Sequence, residues 1–406
     1  MTILSSGCRT GYSSDAVLLP SLTPLPRKQF EAADRKAISW KGGETTYSQN
    51  LAKIDSKRRR KNMKAKNGAK QTVIVFVLAV LTAISFAGSV NAQTKSFEFK
   101  YASPYPQKEI NNHAPALWAD ALEKRTGGRV KVTPYYSETL GKGPEMLHML
   151  KTGICDVAML NYPMFPGVFQ VTDILSLPFF VPNRYIGEEL IYSLYYRGLL
   201  DKEYSGLKLL WYQVNTPANF MLRNKKVAKM EDLKGLKIRT FPGTPIKSLK
   251  ALGATPITIP TTEVYTALER GTVDGLITMP DWFLSAKLHE VTKYYLWVPI
   301  SGGMHMLMMS QDKWNSLPPE IQAIMEELSG KAKYQFLEEA DRRDSEMPTQ
   351  VKATKVDSDS LSGSEVSRWQ KATQGVVDEW ASEMEAKGLP GREAVKVAKQ
   401  VLVRFQ

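Results

Sequence analysis

From residue 97 onward the apolar and polar positions fall into two alternating rhythms. Phe97-Glu98-Phe99-Lys100-Tyr101 repeats with period two, the pattern of a half-buried strand. Ala114, Leu117, Trp118, Ala121 and Leu122 then share one helical face, which Gly127-Gly128 stops. Further strands are predicted at 130–132, 155–160, 207–214 and 220–222, with a helix from Pro144 to Gly153 between the first two. The scheme repeats as strand 236–241, helix 246–252, strand 254–259, a helix ending at Arg270 and strand 273–279. Strands alternating with helices predict α/β architecture. After Pro318 the character changes to a long helical run, 319–344, then a helix over 365–386 capped by Ser364, and a last one over 393–405. At about 1.5 Å per residue the 319–344 helix is long enough to cross from one lobe to another.

Two segments resemble each other. Leu150-Lys151-Thr152-Gly153-Ile154-Cys155-Asp156 matches Leu268-Glu269-Arg270-Gly271-Thr272-Val273-Asp274 in order and spacing. Each reads as a helix end, a capping glycine, an aspartate and a buried strand, which points to two lobes built on one plan, with chance similarity as the competing explanation.

Charge changes the picture at the N-terminus. The chain of 406 residues carries a formal net charge of +13. Residues 1–92 hold 15 basic and 5 acidic side chains, and residues 93–406 hold 39 and 36, so the basic excess sits in a leader. Lys57-Arg58-Arg59-Arg60-Lys61 precedes an apolar stretch over 73–87 and a small-residue site, Val90-Asn91-Ala92. A basic region, a short apolar region and such a site make a secretory signal peptide, with cleavage expected after Ala92. The apolar run falls short of the roughly 20 residues that span a bilayer. Residues 63–92 form the expected signal peptide. Residues 1–62 do not fit one, and translation is expected to begin at Met63. No nucleic-acid partner is inferred from a basic run that abuts an export signal. Only Cys155 lies beyond the leader, in an apolar run, where a buried structural thiol is expected.

No catalytic signature is present: no G-x-S-x-G, H-E-x-x-H, phosphate-binding or dinucleotide-binding motif. The four histidines show no ligand spacing, so no metal and no cofactor are expected, and His305 is assigned to a buried strand. In Leu236-Lys237-Ile238-Arg239-Thr240, period-two alternation puts Arg239 opposite the apolar face. From spacing alone it is equally a solvated arginine on a sheet edge or a guanidinium fork in a cleft that binds a carboxylate through two parallel bonds. Asn161, just past a strand's carboxyl end, is either a turn residue or a pocket residue.

From about Phe97 to the C-terminus the chain resembles the extracytoplasmic solute-binding proteins of TRAP transporters, the C4-dicarboxylate-receptor family. The resemblance rests on ordered pieces: Gly128-Arg129-Val130-Lys131-Val132, Leu140-Gly141 with Glu145-Met146-Leu147, Leu177-Pro178-Phe179-Phe180, and Asp232 to Arg239. Glu263-Val264-Tyr265-Thr266-Ala267-Leu268, Gly271-Thr272-Val273-Asp274-Gly275 and Trp314-Asn315-Ser316-Leu317-Pro318-Pro319-Glu320 continue it. It implies a two-lobed periplasmic-binding-protein architecture with hinged lobes, a long bridging helix and an interlobe cleft for an organic anion. It implies lobe I over 93–216 plus 304–343 and lobe II over 217–303 plus 344–406. The implied function is a periplasmic receptor, not an enzyme, that delivers an organic acid to membrane permease subunits. A sensor docking on a receptor kinase and, behind it, a periplasmic enzyme are the alternatives; permease genes next door separate transport from sensing. Arg239 matches the arginine that pairs with the ligand carboxylate across this family.

Departures from the family shape the expected ligand. Where sialic-acid-binding relatives carry a second arginine, this chain has Asn219. After Val273-Asp274-Gly275, Leu276-Ile277-Thr278 replaces a polar trio, leaving Thr278 as a hydrogen-bonding candidate. Alternate residues among Leu276, Ile277 and Met279 are expected to face the cleft. Trp282 and Tyr101 are candidate aromatic walls, Trp282 with ordinary helix packing as its competing explanation. One matched cation favours a monocarboxylate with an apolar or aromatic body, such as a 2-oxo or 2-hydroxy acid, over succinate or sialic acid, because a second buried anion would be unpaired; Lys100, Lys108 or another first-lobe cation supplying that charge is the competing reading.

Overall fold

The computed structural model describes residues 95–405; the leader, with its expected start and cleavage sites, lies outside them. Two sheets organise the chain. The first has the order β2-β1-β3-β10-β4 and the second β11-β9-β5-β8-β6-β7. In the first, β1 (Phe97–Ala102), β2 (Val130–Tyr135) and β3 (Val157–Asn161) are joined by helices α1 (Ile110–Arg125) and α2 (Met146–Thr152). Helix α3 (Arg184–Tyr196) leads to β4 (Leu207–Val214). The second sheet gathers β5 (Ala218–Leu222), β6 (Lys237–Arg239), β7 (Thr255–Ile257) and β8 (Gly275–Thr278), with α4 (Thr244–Ala251), α5 (Val264–Arg270) and α6 (Pro280–Ser285) between and after them. β9 (Tyr294–Ser301) completes its centre and β10 (Met304–Ser310) returns to the first sheet. The result is the two-lobed α/β architecture that the alternating pattern and the family resemblance imply.

The internal repeat has a physical basis. Gly153 and Gly271 close α2 and α5 with left-handed φ of 76° and 72°, a conformation that costs a side-chain-bearing residue energy. Asp156 then accepts from the Lys100 N–H at 2.8 Å, and Asp274 accepts from the Lys237 N–H at 2.8 Å. Their own N–H groups donate back to the carbonyls of Lys100 and Lys237. Each aspartate pins its strand beside a parallel neighbour, β3 beside β1 and β8 beside β6.

The chain crosses between the sheets on a two-stranded ribbon. β4 runs into β5 through 215–217, and β9 runs into β10 through Gly302-Gly303. The Asn215 N–H donates to the Gly303 carbonyl at 2.8 Å, so the two crossings are tied together. A side chain on Gly302 would overlap Val181 and the Leu175 carbonyl, which is why the ribbon passes there as glycine. Arg184 at the start of α3 locks this region: it donates to the Val214 carbonyl, the Thr216 hydroxyl and Asp344 at 2.6, 2.7 and 2.8 Å.

Asp344 belongs to the long helix α8 (Pro319–Ala353), which follows the short α7 (Gln311–Asn315). α8 lies along α1 and β4 and then reaches α6 and β11 (Asp357–Ser360), so it bridges the lobes. It outruns the expected end near Asp344 and passes through Pro348. A proline inside a helix removes one N–H bond, but Met347 and Val351 on either side of it are buried in a second-lobe core with Val264 and Phe283. Helix α9 (Gly363–Ala386) is capped by Ser362, whose side chain accepts from the Glu365 N–H, and not by Ser364. It too spans the lobes. Trp369 packs with Phe220 and Ile238 of the second sheet, whereas Val376, Trp380 and Met384 pack into the first core. Helix α10 (Gly391–Arg404) joins that first core through Ala394, Val397 and Val401. The packing therefore differs from the expected placement of 344–406 in lobe II: the C-terminal part covers the first lobe.

Candidate functional site

β1 and β3 in the first sheet are parallel, as are β6, β7 and β8 in the second. In open α/β sheets ligands bind beyond the carboxyl ends of such strands. Here those ends are the loop after Ala102, Asn161, Arg239 and Thr278, beside the crossing ribbon. The contact between the Met279 side chain and Gly303 marks where the second sheet's ends reach it, since a Cβ on Gly303 would sit 3.0 Å from Met279 Cε.

Arg239 is the last residue of β6 and is only 4% exposed. Its Nη2 reaches the Thr261 hydroxyl at a long 3.4 Å, and its Nε and Nη1 are buried with no hydrogen-bond partner among the described residues. Its guanidinium carbon lies 4.9 Å from the Phe241 ring centre and 5.6 Å from that of Trp282. Such rings stabilise a cation by roughly 0.5–2 kcal/mol, less than the cost of burying it. Burial pushes the Arg239 pKa down to about 10, with no carboxylate acting on it. The geometry leaves two edges on which a planar anion could sit, Nη2 with Nη1 and Nη2 with Nε, since Nη2 makes only the one long contact to Thr261. The alternative of a solvated edge arginine is excluded by its burial and by β6 lying between β8 and β7.

On β8, two residues past Leu276, the register partner of Arg239, stands Thr278. Its hydroxyl is buried and unpartnered, and it pairs in register with Asn219 of β5. Asn219 is buried, and its amide donates to the Pro217 carbonyl at 3.0 Å. Trp282 sits in the first turn of α6 against Arg239. Asp281 beside it is raised by burial, with the charge of Asp344 adding to that effect.

The first lobe contributes a different chemistry. The Asn161 amide donates to the Tyr105 hydroxyl at 3.0 Å, and that hydroxyl lies 2.7 Å from His305 Nε2. Tyr101 is set further back: it is buried, its hydroxyl donates to Asn112 at 2.8 Å, and its ring meets Tyr136 edge-on. It supports the 103–109 loop, whose carbonyls at Tyr105 and Pro106 accept from the Asn112 amide. Leu276 and Ile277 do not face the cleft. They alternate as expected, but both faces of β8 are covered, Leu276 packing with Phe283 and Ile277 with Trp369.

Reasoning from sequence missed Phe241, Thr261 and Tyr105. Tyr105 was within reach of the rule that flagged Asn161, since it follows the carboxyl end of β1. Phe241 and Thr261 approach Arg239 only through tertiary packing. Cys155 is buried, and burial pushes its thiol up to about 12, which makes it an inert structural thiol.

The model of the bacterial extracellular solute-binding protein family 7 matches residues 102–383. The 2,3-diketo-L-gulonate-binding periplasmic protein YiaO of Escherichia coli is 29% identical over 259 residues, 61% of this chain and 76% of that protein. The crystal structure of a TRAP periplasmic solute-binding protein from Ochrobactrum anthropi superposes with a TM-score of 0.71 at 25% identity, covering 77% of this chain and 97% of that one. A marine-metagenome TRAP solute-binding protein described as specific for aromatic acid ligands, in complex with 3-hydroxybenzoate, gives 0.69 at 23% identity, over 77% and 99%. The chain belongs to the bacterial extracellular solute-binding protein family 7 and is a TRAP solute-binding protein, of a family that works outside the cytoplasm.

Proposed function

We propose that this protein is the periplasmic receptor of a TRAP transporter, that it captures an organic monocarboxylate between its lobes, and that it hands the acid to membrane permease subunits. The observation that carries this reading is Arg239: a buried cation with two unpartnered N–H groups and no counter-charge among the described residues. An isolated buried charge is costly, and a fold retains one where binding supplies its partner. A carboxylate does so with two parallel bonds. Thr278 offers a hydroxyl on the neighbouring strand, and Trp282 and Phe241 form apolar walls. Asn219 adds no charge, so the second lobe neutralises one anion. The relative that binds aromatic acids supports an apolar or aromatic body.

The residue set suits capture and release, and the reading is of a binding protein, in keeping with the solute-binding family to which the chain belongs. The protein is exported through the signal peptide at 63–92, cleaved after Ala92. A thermal-shift screen against mono- and dicarboxylic acids tests the ligand class. Saturation at about 100 times the dissociation constant raises stability by about 2.7 kcal/mol. Monocarboxylates with apolar or aromatic bodies are expected to give the largest shifts; a response confined to succinate or malate contradicts the reading of Asn219.

A further inference from the structure

The lobe opposite Arg239 carries an uncharged polar cluster. Asn161 ends β3, and His305, its register partner, is the second residue of β10. Tyr105 stands between them on the loop after β1. The Asn161 Nδ2 donates to the Tyr105 oxygen at 3.0 Å, and that hydroxyl lies 2.7 Å from His305 Nε2, where the imidazole tautomer decides which of the two donates. Burial pushes His305 down to about 3, so the ring is neutral in the physiological range. A neutral imidazole that accepts at Nε2 carries its single proton on Nδ1. That Nδ1 is buried and has no partner among the described residues. Tyr105 and Asn161 are half-buried, and His305 backs them.

The cluster sits at the ribbon where the sheets meet. His305 is two residues past Gly303, which Met279 approaches from the second lobe, one residue beyond Thr278. Glu109, at the end of the Tyr105 loop, acts electrostatically on Asp281, the neighbour of Trp282. Both sets of residues therefore border the same cleft. On the first-lobe side the loop's Lys108 is exposed, and Arg184 and Arg343 act on the same Asp281 from the start of α3 and from the long helix. What the cluster itself offers is neutral: the Asn161 amide as donor, and the amide and phenol oxygens as acceptors, with His305 behind them holding the phenol.

The geometry points to Asn161, Tyr105 and His305 as the specificity half of the site, which reads an uncharged oxygen, hydroxyl or carbonyl, on the carboxylic acid anchored by Arg239. This rests on Arg239 being the carboxylate anchor. A carbonyl oxygen accepts from the amide N–H, and a hydroxyl can also donate to the amide or phenol oxygen. None of the three side chains carries a charge to pair a second carboxylate, and a purely hydrocarbon body leaves their polar atoms unmatched. The ligand class is a hydroxylated or oxo-substituted monocarboxylate.

The test uses matched acids: phenylacetate with 3-hydroxyphenylacetate, and 4-methylpentanoate with 4-methyl-2-oxopentanoate. Calorimetry on the mature protein should show the oxygenated member of at least one pair binding about tenfold tighter or better, the discrimination that unmatched buried polar groups impose. Tyr105→Phe and, independently, His305→Gln should bring that ratio towards one, whereas Arg239→Ala should weaken both members of the pair. Melting curves of the ligand-free variants identify either one that fails to fold, and the other then decides. Equal affinity within both pairs, or a ratio that survives in folded Tyr105→Phe and His305→Gln, overturns this assignment and leaves Arg239 untouched. Tight binding that is indifferent to Arg239→Ala overturns the anchor itself. Binding of none of the four acids, or binding of succinate above all four, overturns both.

Discussion

Arg239, the proposed carboxylate anchor, sets function against stability. Its burial lowers its pKa from the ordinary value to about 10, so the folded state disfavours the charged form. The sign follows: a depressed folded pKa is a cost to folding at every pH where the side chain is charged in the unfolded chain, neutral pH included. Arg239→Met keeps an unbranched stem of apolar character, removes the charge and is expected to pack against Phe241 and Trp282. The ligand-free variant is expected to melt higher than the wild type by about 2 °C or more while losing carboxylate binding. A lower melting temperature would show that the guanidinium is satisfied by groups other than a ligand. At this scale the sequence disclosed the residue and not its setting. Alternation placed Arg239 opposite the apolar face, but burial depends on Thr261, Phe241 and Trp282, which are 2 to 43 positions away and meet it only in the fold. The same limit misled the reading of Leu276 and Ile277. Alternation distinguishes two faces and does not say that both are covered.

At the scale of elements the twin segments around Asp156 and Asp274 account for how each sheet holds its parallel strands. Both aspartates accept from the N–H of the neighbouring strand at 2.8 Å. A hydrogen bond to a charged acceptor contributes about 1.5–3 kcal/mol. Asp274→Ala should therefore lower the unfolding free energy by about that amount in urea titration, and Asp274→Asn, which keeps an acceptor oxygen, should recover part of it. Equal loss in both variants would argue that charge, and not the bond, is what matters. This device was legible because it is local: a helix end, a glycine with positive φ and an aspartate in seven residues. Element boundaries were less legible where tertiary packing decides. α8 continues through Pro348 because Met347 and Val351 have a core to enter, and α9 and α10 return to the first lobe because Trp380, Val397 and their neighbours complete its core.

At the scale of the whole molecule the lobes touch through Asp173. It lies in the 3-10 turn Thr172–Ser176 of the first lobe and accepts at 2.6 Å from the hydroxyl of Thr244, the first residue of α4 in the second. Burial pushes Asp173 up to about 6, against the opposing effect of its hydrogen bonds. A carboxyl whose folded pKa is raised gives its full contribution below the unfolded value, near 4, and loses it as pH rises through about 6. His305, pushed down to about 3, titrates with the opposite sign, giving stability above about 6.5 that is lost as pH falls. The comparison is therefore made between variants. Asp173→Asn mimics the neutral carboxyl, so its melting temperature relative to the wild type should rise between pH 5 and pH 8. A difference that does not change with pH would show that Asp173 does not titrate across the lobe contact in this range. Neither this contact nor the ribbon at Gly302-Gly303 could be read from the chain, because each joins segments that only the two-lobed arrangement brings together.

The central claim is that Arg239 holds the ligand's carboxylate, and calorimetry with one acid and its methyl ester tests it most directly. The acid giving the largest thermal shift is titrated into wild type, Arg239→Lys and Arg239→Ala, and its ester into wild type. Losing one partner of a buried charge pair costs about 2–5 kcal/mol, so Arg239→Ala should weaken binding at least about thirtyfold. Arg239→Lys should also weaken it, because an ammonium cannot form the planar fork, and the ester should bind no better than the acid binds to Arg239→Ala. Wild-type affinity in Arg239→Ala, or equal binding of acid and ester, would contradict the account.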